Sequence, residues 1–196
     1  GVDIETVRQR YEIPFTDYGV VLFHPVTSEQ DTIGAQAKSL FSSLEASGRN
    51  FVVISPNNDP GSDQIFEAIE TLPLDNFRHI PSMRFSYFSE LMRNSSAIIG
   101  NSSLGVREAP FLGLPSLNLG TRQSDRAMAS SVTHSDCEDQ TRILEFLHAN
   151  WGARCVVDGS FGTGNAASRF VEILDDSVFW KRPKQKKFID NASVTS

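Results

Sequence analysis

The sequence predicts an α/β fold in which a parallel sheet carries helices on both faces. Three short apolar runs have the length and composition of strands that are buried on both sides: Val20–Phe23, Phe51–Ile54 and Ala97–Gly100. Each run is followed by a loop and then by apolar residues at helical spacing. Strands that alternate with helices build parallel sheets, so the architecture is predicted to be Rossmann-like.

The first half of the chain contains three strand–helix units. The helix after the first strand is indicated by Ile33, Ala37, Leu40, Phe41 and Leu44. Thr27 and Gln30 form a capping-box pattern at its start, and Gly48 follows its end. Later elements are a helix through Ile65, Ala68 and Ile69, a strand at Phe77–Ile80 and a helix through Tyr87–Met92.

The second half continues the alternation. A short helix after Gly100 ends near Gly113, and Leu117–Leu119 is a further strand. Ser135 and Glu138 form a second capping-box pattern before a helix through Ile143 and Leu147, and a last helix ends near Leu174. We expect residues 1–18 to be an interdomain connector, 19–177 the Rossmann-like domain and 178–196 a basic C-terminal tail.

The composition is that of a globular domain with a substantial core. Hydrophobic residues make up 39% of the 196 residues, and the net charge of −6 argues against nucleic acid or an anionic membrane as a partner. Cys137 and Cys155 stand in no disulfide or metal-binding pattern and predict free thiols in a reducing, cytoplasmic compartment. No metal and no cofactor is expected. Because the chain begins at Gly1, we expect a fragment whose N-terminal part is missing.

Ligands of open parallel sheets bind beside the loops that follow strands. The loop Asn101–Pro110 joins a buried strand to a helix and contains two serines, a glycine and then Arg107-Glu108, placed in the first helical turn. Its backbone N–H groups and hydroxyls predict phosphate binding at a helix N-terminus, with simple capping by Ser102 or Ser103 as the alternative.

Two further strand-following loops carry candidate residues. His24 could donate to a phosphate, titrate near neutral pH or satisfy a local backbone carbonyl. Arg122 could clamp a phosphate or lie in a solvated surface loop. Two segments carry weaker signals. Gly159–Gly164 could cradle a phosphate or form a turn before a helix, and Lys181–Lys187 is interpreted as a solvated or domain-crossing tail.

These motifs resemble those of hydrolysing UDP-N-acetylglucosamine 2-epimerases. The resemblance covers Val20 to Leu174 and rests on four segments in order: His24–Thr27, Gly100–Ala109, Gly120–Gln123 and Gly162–Ala166. The tail Pro183–Phe188 also resembles the family. The resemblance implies the C-terminal, UDP-binding half of a GT-B fold, a missing N-terminal domain as partner, and a homo-oligomer in the full-length form.

Residue roles follow from the same resemblance. It implies that Ser102 and Ser103 bind the diphosphate, that Glu108 binds the ribose hydroxyls and that His24 and Arg122 lie near the phosphates. Asn101 and Gly105 complete this set, and Phe88 is expected to contact the uracil. His24 is the catalytic candidate. The chemistry implied is anti elimination of UDP followed by addition of water, with the acid and base carboxylates in the missing domain.

One departure from the family pattern and several alternatives stay open. Asp125 stands where the family usually has glycine, and Ala127 where it often has an acidic residue. A carboxylate there could pair with Arg122 and Arg126 or repel the diphosphate. The alternatives are an epimerase for a diacetamido-dideoxy UDP-sugar in nonulosonate synthesis, a retaining GT-B glycosyltransferase, a non-catalytic UDP-sugar-binding module, and a Rossmann domain without a nucleotide site.

Overall fold

The computed structural model describes residues 1–123 and 129–185. The chain has two compact units, Gly1–Gly159 and a second unit that begins at Ser160. The first unit contains the sheet, and the described part of the second unit, residues 160–185, contains two helices.

The first unit is built on a six-stranded sheet in which every pair of neighbouring strands is parallel. The spatial order is β3-β2-β1-β4-β5-β6. Val21 of β1 pairs with Val53 of β2 on one side and with Ile99 of β4 on the other. The first three strands are therefore added towards one edge of the sheet and the last three towards the other, so the strand order reverses between β1 and β4. In such folds a ligand crevice opens at the point of reversal. The strands are β1 Gly19–Leu22, β2 Phe51–Ile54, β3 Phe77–Ile80, β4 Ala97–Gly100, β5 Ser116–Leu119 and β6 Val132–Ser135.

In the described part of the first unit, α-helices cover both faces of the sheet. Alternate residues of β1 point to opposite sides: Val21 packs with apolar residues of α2, α3 and α6, whereas Val20 packs with those of α1, α4 and α5. The predicted α/β architecture with helices on both faces is therefore confirmed. The helices are α1 Ile4–Tyr11, α2 Ile33–Ala46, α3 Ser62–Glu70, α4 Phe85–Arg93, α5 Ser103–Phe111 and α6 Gln140–Asn150.

Both capping-box predictions are wrong. Thr27 begins a short 3-10 turn, Thr27–Glu29, and α2 starts only at Ile33. Ser135 ends β6, a strand that the sequence patterns did not reveal, and the N-cap of α6 is Asp139, whose carboxylate accepts a hydrogen bond from the backbone N–H of Arg142. In each case, the residue pattern matched a cap, but the chain was still in a turn or a strand.

The first 18 residues, expected to be a connector, contain α1 and contribute to the core of the first unit. Val7 is fully buried, and the hydroxyl of Tyr18 donates to the backbone carbonyl of Leu91 at 2.9 Å. In the second unit, α7 spans Ala166–Asp175 and α8 spans Ser177–Trp180. Of the helices that the structure describes, none has the length and hydrophobicity that crossing a membrane requires.

Candidate functional site

Three loops meet at the carboxyl ends of the strands, where the strand order reverses between β1 and β4. His24 follows β1, Asn101 follows β4 and Arg122 follows β5, and hydrogen bonds join the three segments. Because parallel strands end at the same edge of the sheet, residues far apart in sequence become neighbours here. The convergence of these loops defines the candidate site.

The side chain of Asn101 binds the backbone of His24 through both ends of its amide. Oδ1 of Asn101 accepts from the backbone N–H of His24 at 2.8 Å, and Nδ2 donates to the His24 carbonyl at 2.7 Å. Asn101 is only 2% exposed. The amide is thus used within the protein, while the nucleotide contact expected for Asn101 stays a prediction.

The imidazole of His24 is held in one neutral form. Its Nδ1 accepts a hydrogen bond from the backbone N–H of Asn57 at 3.2 Å, so the proton of the neutral ring is on Nε2. Burial lowers the pKa of His24, and the positive charge of Arg122 lowers it further, against smaller opposing effects of Asn57 and Asp59. The described partner of the His24 ring is thus a backbone N–H group, whereas the alternative from the sequence was a backbone carbonyl. His24 therefore offers an Nε2–H donor at neutral pH.

Two serines begin the helix that follows β4. Ser102 is the N-cap of α5, and its hydroxyl accepts from the backbone N–H of Leu104 at 3.4 Å. Ser103 is the first helical residue. The first N–H groups of a helix have no partner within the helix and, together with the helix dipole, favour an anion. Capping by Ser102 and anion binding at this end of α5 are compatible.

Arg107 and Glu108 do not lie in the first turn of α5, contrary to expectation. The helix starts at Ser103, which places both residues in its second turn, and both are exposed. Glu108 lies roughly 7.5 Å along the helix axis from Ser103, at 1.5 Å per residue. Capping by Ser102 or by Ser103 was open from the sequence, and the observed N-cap, Ser102, fixes where the first turn begins.

Gly105 is required by close packing of α5 on the sheet. A Cβ atom at this position would lie 2.8 Å from Oγ of Ser116 on β5. Gly105 is buried, so its described contacts are with the sheet. Its expected part in UDP binding stays a prediction.

The loop after β5 is anchored on Asn101 and on the turn after β1. Arg122 donates through one guanidinium nitrogen to the Asn101 carbonyl at 3.4 Å, and the buried Gln123 donates to the same carbonyl through Nε2 at 3.1 Å. The hydroxyl of Thr121 donates to the carboxylate of Glu29. Sequence reasoning missed Gln123 and Asn57, because no local pattern distinguishes their contacts. Asp125, Arg126 and Ala127 lie outside the described residues.

Phe88 is half-buried on α4 and packs against the apolar cluster formed with α1 and α5. Phe85, one turn earlier on the same helix, has 80% of its surface exposed. The segment where the uracil was expected therefore carries an exposed ring, Phe85, and a half-buried ring, Phe88.

The arrangement suits an anion. Helix N–H groups, two serine hydroxyls, the Nε2–H group of His24 and the guanidinium of Arg122 are all donors, and preorganised donors of this kind bind phosphates well. Local donors outweigh the overall charge of −6 at short range. Within residues 1–123 and 129–185, no cluster of three or more His, Cys, Asp or Glu residues is arranged to hold a metal ion.

Comparisons with known proteins give one consistent result. A family model described as UDP-N-acetylglucosamine 2-epimerase matches residues 2–175. The UDP-N-acetylglucosamine 2-epimerase of Neisseria meningitidis is 37% identical over 190 residues, which are 95% of this chain and 50% of that protein. A UDP-N,N'-diacetylbacillosamine 2-epimerase (hydrolyzing) of Legionella pneumophila is 27% identical over 172 residues, which are 87% of this chain and 46% of that protein.

A solved structure shows the same fold. The UDP-GlcNAc 2-epimerase from Neisseria meningitidis bound to UDP-GlcNAc superimposes with a TM-score of 0.63 at 22% identity, covering 86% of this chain and 49% of that chain. The chain thus spans about half the length of the relatives that it matches.

Proposed function

The chain belongs to the UDP-N-acetylglucosamine 2-epimerase family, and from this membership we propose that it binds UDP as one half of a hydrolysing epimerase. One observation carries the proposal: the donors of His24, α5 and Arg122 meet at the point where the strand order reverses. A diphosphate needs such a cluster of donors. The relatives are about twice as long, and the proposal assigns the other half of the active site to the remaining part of the full-length protein.

Six of the eight candidate residues have a proposed contact. The N-terminus of α5 with Ser102 and Ser103 binds the diphosphate, His24 donates to it through Nε2–H, and Arg122 adds a positive charge. Glu108, farther along α5, binds the ribose hydroxyls. Phe88 contacts the uracil.

The proposed reaction releases UDP from the sugar. A base removes the proton at C2 of the sugar while the C1–O bond breaks, which leaves a 2-acetamidoglucal and UDP. The hydroxyl of a water molecule then adds at C1, and a proton is delivered to C2. This proton arrives on the face opposite to the one from which the first proton was removed, which gives N-acetylmannosamine. The departing UDP gathers negative charge, and the donors of this chain stabilise it. The base and acid are proposed to be carboxylates of the other half.

The first test is a calorimetric titration of the chain with UDP, with CMP and ADP as comparison ligands. We expect UDP-selective, weak binding that Ser103→Ala and Glu108→Ala weaken further. Ser42→Ala and Glu145→Ala are matched controls, because both side chains are exposed on helices away from the candidate site. Absence of binding at millimolar UDP would contradict the nucleotide site. Formation of N-acetylmannosamine by the chain alone would contradict the division of the active site.

A second candidate substrate is a diacetamido-dideoxy UDP-sugar, which the resemblance to the Legionella pneumophila protein favours. Both substrates carry the same UDP, so the residues proposed for UDP binding serve either one. The full-length protein incubated with each UDP-sugar would decide between them, since only the true substrate would release UDP at an appreciable rate.

A further inference from the structure

Asn101 stands at the centre of the hydrogen bonds that join the three loops. Its side chain binds both backbone polar groups of His24, and its carbonyl accepts from Arg122 and Gln123. Its own N–H donates to the Leu22 carbonyl at 3.1 Å. One residue therefore connects the segments that follow β1, β4 and β5.

Burial limits what else this side chain can do. Asn101 is 2% exposed, whereas His24, Ser102 and Arg122 are each only half-buried. A side chain with almost no accessible surface offers little to a nucleotide. The residues around it are the ones that can reach a ligand.

We propose that Asn101 is a positioning residue that acts on the nucleotide through His24 rather than by touching the nucleotide. This inference rests on the proposed UDP site. Asn101 holds the main chain of His24, and the backbone N–H of Asn57 holds its ring. With both anchors in place the Nε2–H donor has a defined position, and a donor that is displaced by 1 Å loses much of its effect.

The chemistry of the contact explains why the residue is an amide. The side chain must accept from an N–H group and donate to a carbonyl at the same time, and a primary amide does both. An aspartate has nearly the same shape but, when ionised, has no donor for the His24 carbonyl. Its second oxygen would then face that carbonyl, which is an unfavourable contact.

The test is a double-mutant cycle with Asn101→Ala, His24→Ala and the double variant. The UDP affinity of each protein is measured by NMR titration. If Asn101 acts through His24, Asn101→Ala weakens binding about ten-fold when His24 is present and less than two-fold when His24 is alanine. Equal factors in the two backgrounds would overturn the inference. Asn101→Asp is the second variant in case the alanine variant does not fold, and the same pattern is expected.

A second readout does not need the nucleotide. In the ligand-free chain, the imidazole 15N resonances of His24 report which ring nitrogen carries the proton. We expect both Asn101 variants to change them, because the ring loses its fixed place against the N–H of Asn57. Unchanged His24 resonances in both variants would overturn the inference, whether or not the wild-type chain binds UDP. Failure to bind UDP would instead contradict the proposed function.

The matched control is Asn50→Ala. Nδ2 of Asn50 also donates to the backbone carbonyl of a distant residue, Asp17, at 3.1 Å. Asn50 lies at the opposite end of the sheet, directly before the start of β2. Loss of the Asn50 side-chain amide should leave the His24 resonances and the UDP affinity unchanged. A change as large as that of Asn101→Ala would show a general loss of structure and overturn the specific role.

Discussion

Gly105 of α5 and Ser116 of β5 approach so closely that a methyl group on Gly105 would lie 2.8 Å from Oγ of Ser116. That hydroxyl is buried and has no hydrogen-bond partner among the described residues. The contact sets how closely the N-terminal half of α5 packs on the sheet. The position of the two serines that begin α5 thus depends on the absence of a side chain at residue 105.

We expect Gly105→Ala to destabilise the protein by about 1 to 3 kcal/mol through overpacking, although alanine is the better helix former by roughly 1 kcal/mol. Ser116→Ala removes the opposing hydroxyl and should be nearly neutral, because that hydroxyl lacks a partner. The double variant should recover the stability of the wild type or exceed it. Urea unfolding of the four proteins measures this, and an equal cost of Gly105→Ala in both backgrounds would show that Ser116 is not the obstacle.

Gly100→Ala tests the backbone at the end of β4. Gly100 has a φ of 134°, and a Cβ atom would lie 1.9 Å from the carbonyl oxygen of Leu22. We expect a loss of more than about 3 kcal/mol or no folded protein. Gly48→Ala is the comparison, because its φ is 66° and nothing lies within 4 Å, so only about 1 to 2 kcal/mol should be lost. Similar losses of unfolding free energy at the two positions would show that the close approach of Leu22 to Gly100 does not set the cost.

The lowered pKa of His24 predicts a pH dependence of stability. Burial, with help from Arg122, keeps the folded imidazole neutral, while the unfolded chain binds a proton near pH 6.5. The unfolded state therefore binds more protons below that pH, and the free energy of unfolding falls as the pH decreases from 7.5 to 5. In His24→Gln this decrease should be smaller than in the wild type.

The measurement is chemical unfolding at several pH values. The pKa of His79 is also lowered by burial, so His79→Gln should remove a separate part of the decrease. A pH profile of His24→Gln that is identical to that of the wild type would mean that the imidazole of His24 is not held neutral.

Substitution of two phenylalanines should locate the uracil. Phe88→Ala is expected to lower stability by about 1 to 3 kcal/mol, because the ring packs on the core, and to weaken binding of UDP but not of pyrophosphate. Phe85→Ala should change neither quantity, because Phe85 is 80% exposed. If Phe85→Ala weakens UDP binding and Phe88→Ala does not, the base lies against the exposed ring. Calorimetry with the two ligands separates these outcomes.

Much of the fold could be predicted from short apolar runs. The strands Phe51–Ile54 and Ala97–Gly100 have the predicted bounds, because each apolar run is enclosed by polar or turn residues. Phe77–Ile80 also has the predicted bounds, although Arg78 and His79 lie in its middle. The strand Val132–Ser135 was missed because three of its four residues are not buried, as suits an edge strand. Helix starts were misplaced for a related reason: a capping pattern shows what a residue can do, not whether the chain is already helical there.

By itself, the sequence determined the α/β class and placed His24, Asn101 and Arg122 on loops that follow strands. These are local properties, written in runs and spacings of a few residues. Only the tertiary structure decided that the amide of Asn101 binds the backbone of His24, 77 residues earlier, and that Asn57 orients its ring. Such contacts exist only after β1 has paired with both β2 and β4, because this strand order brings distant loops to one edge of the sheet.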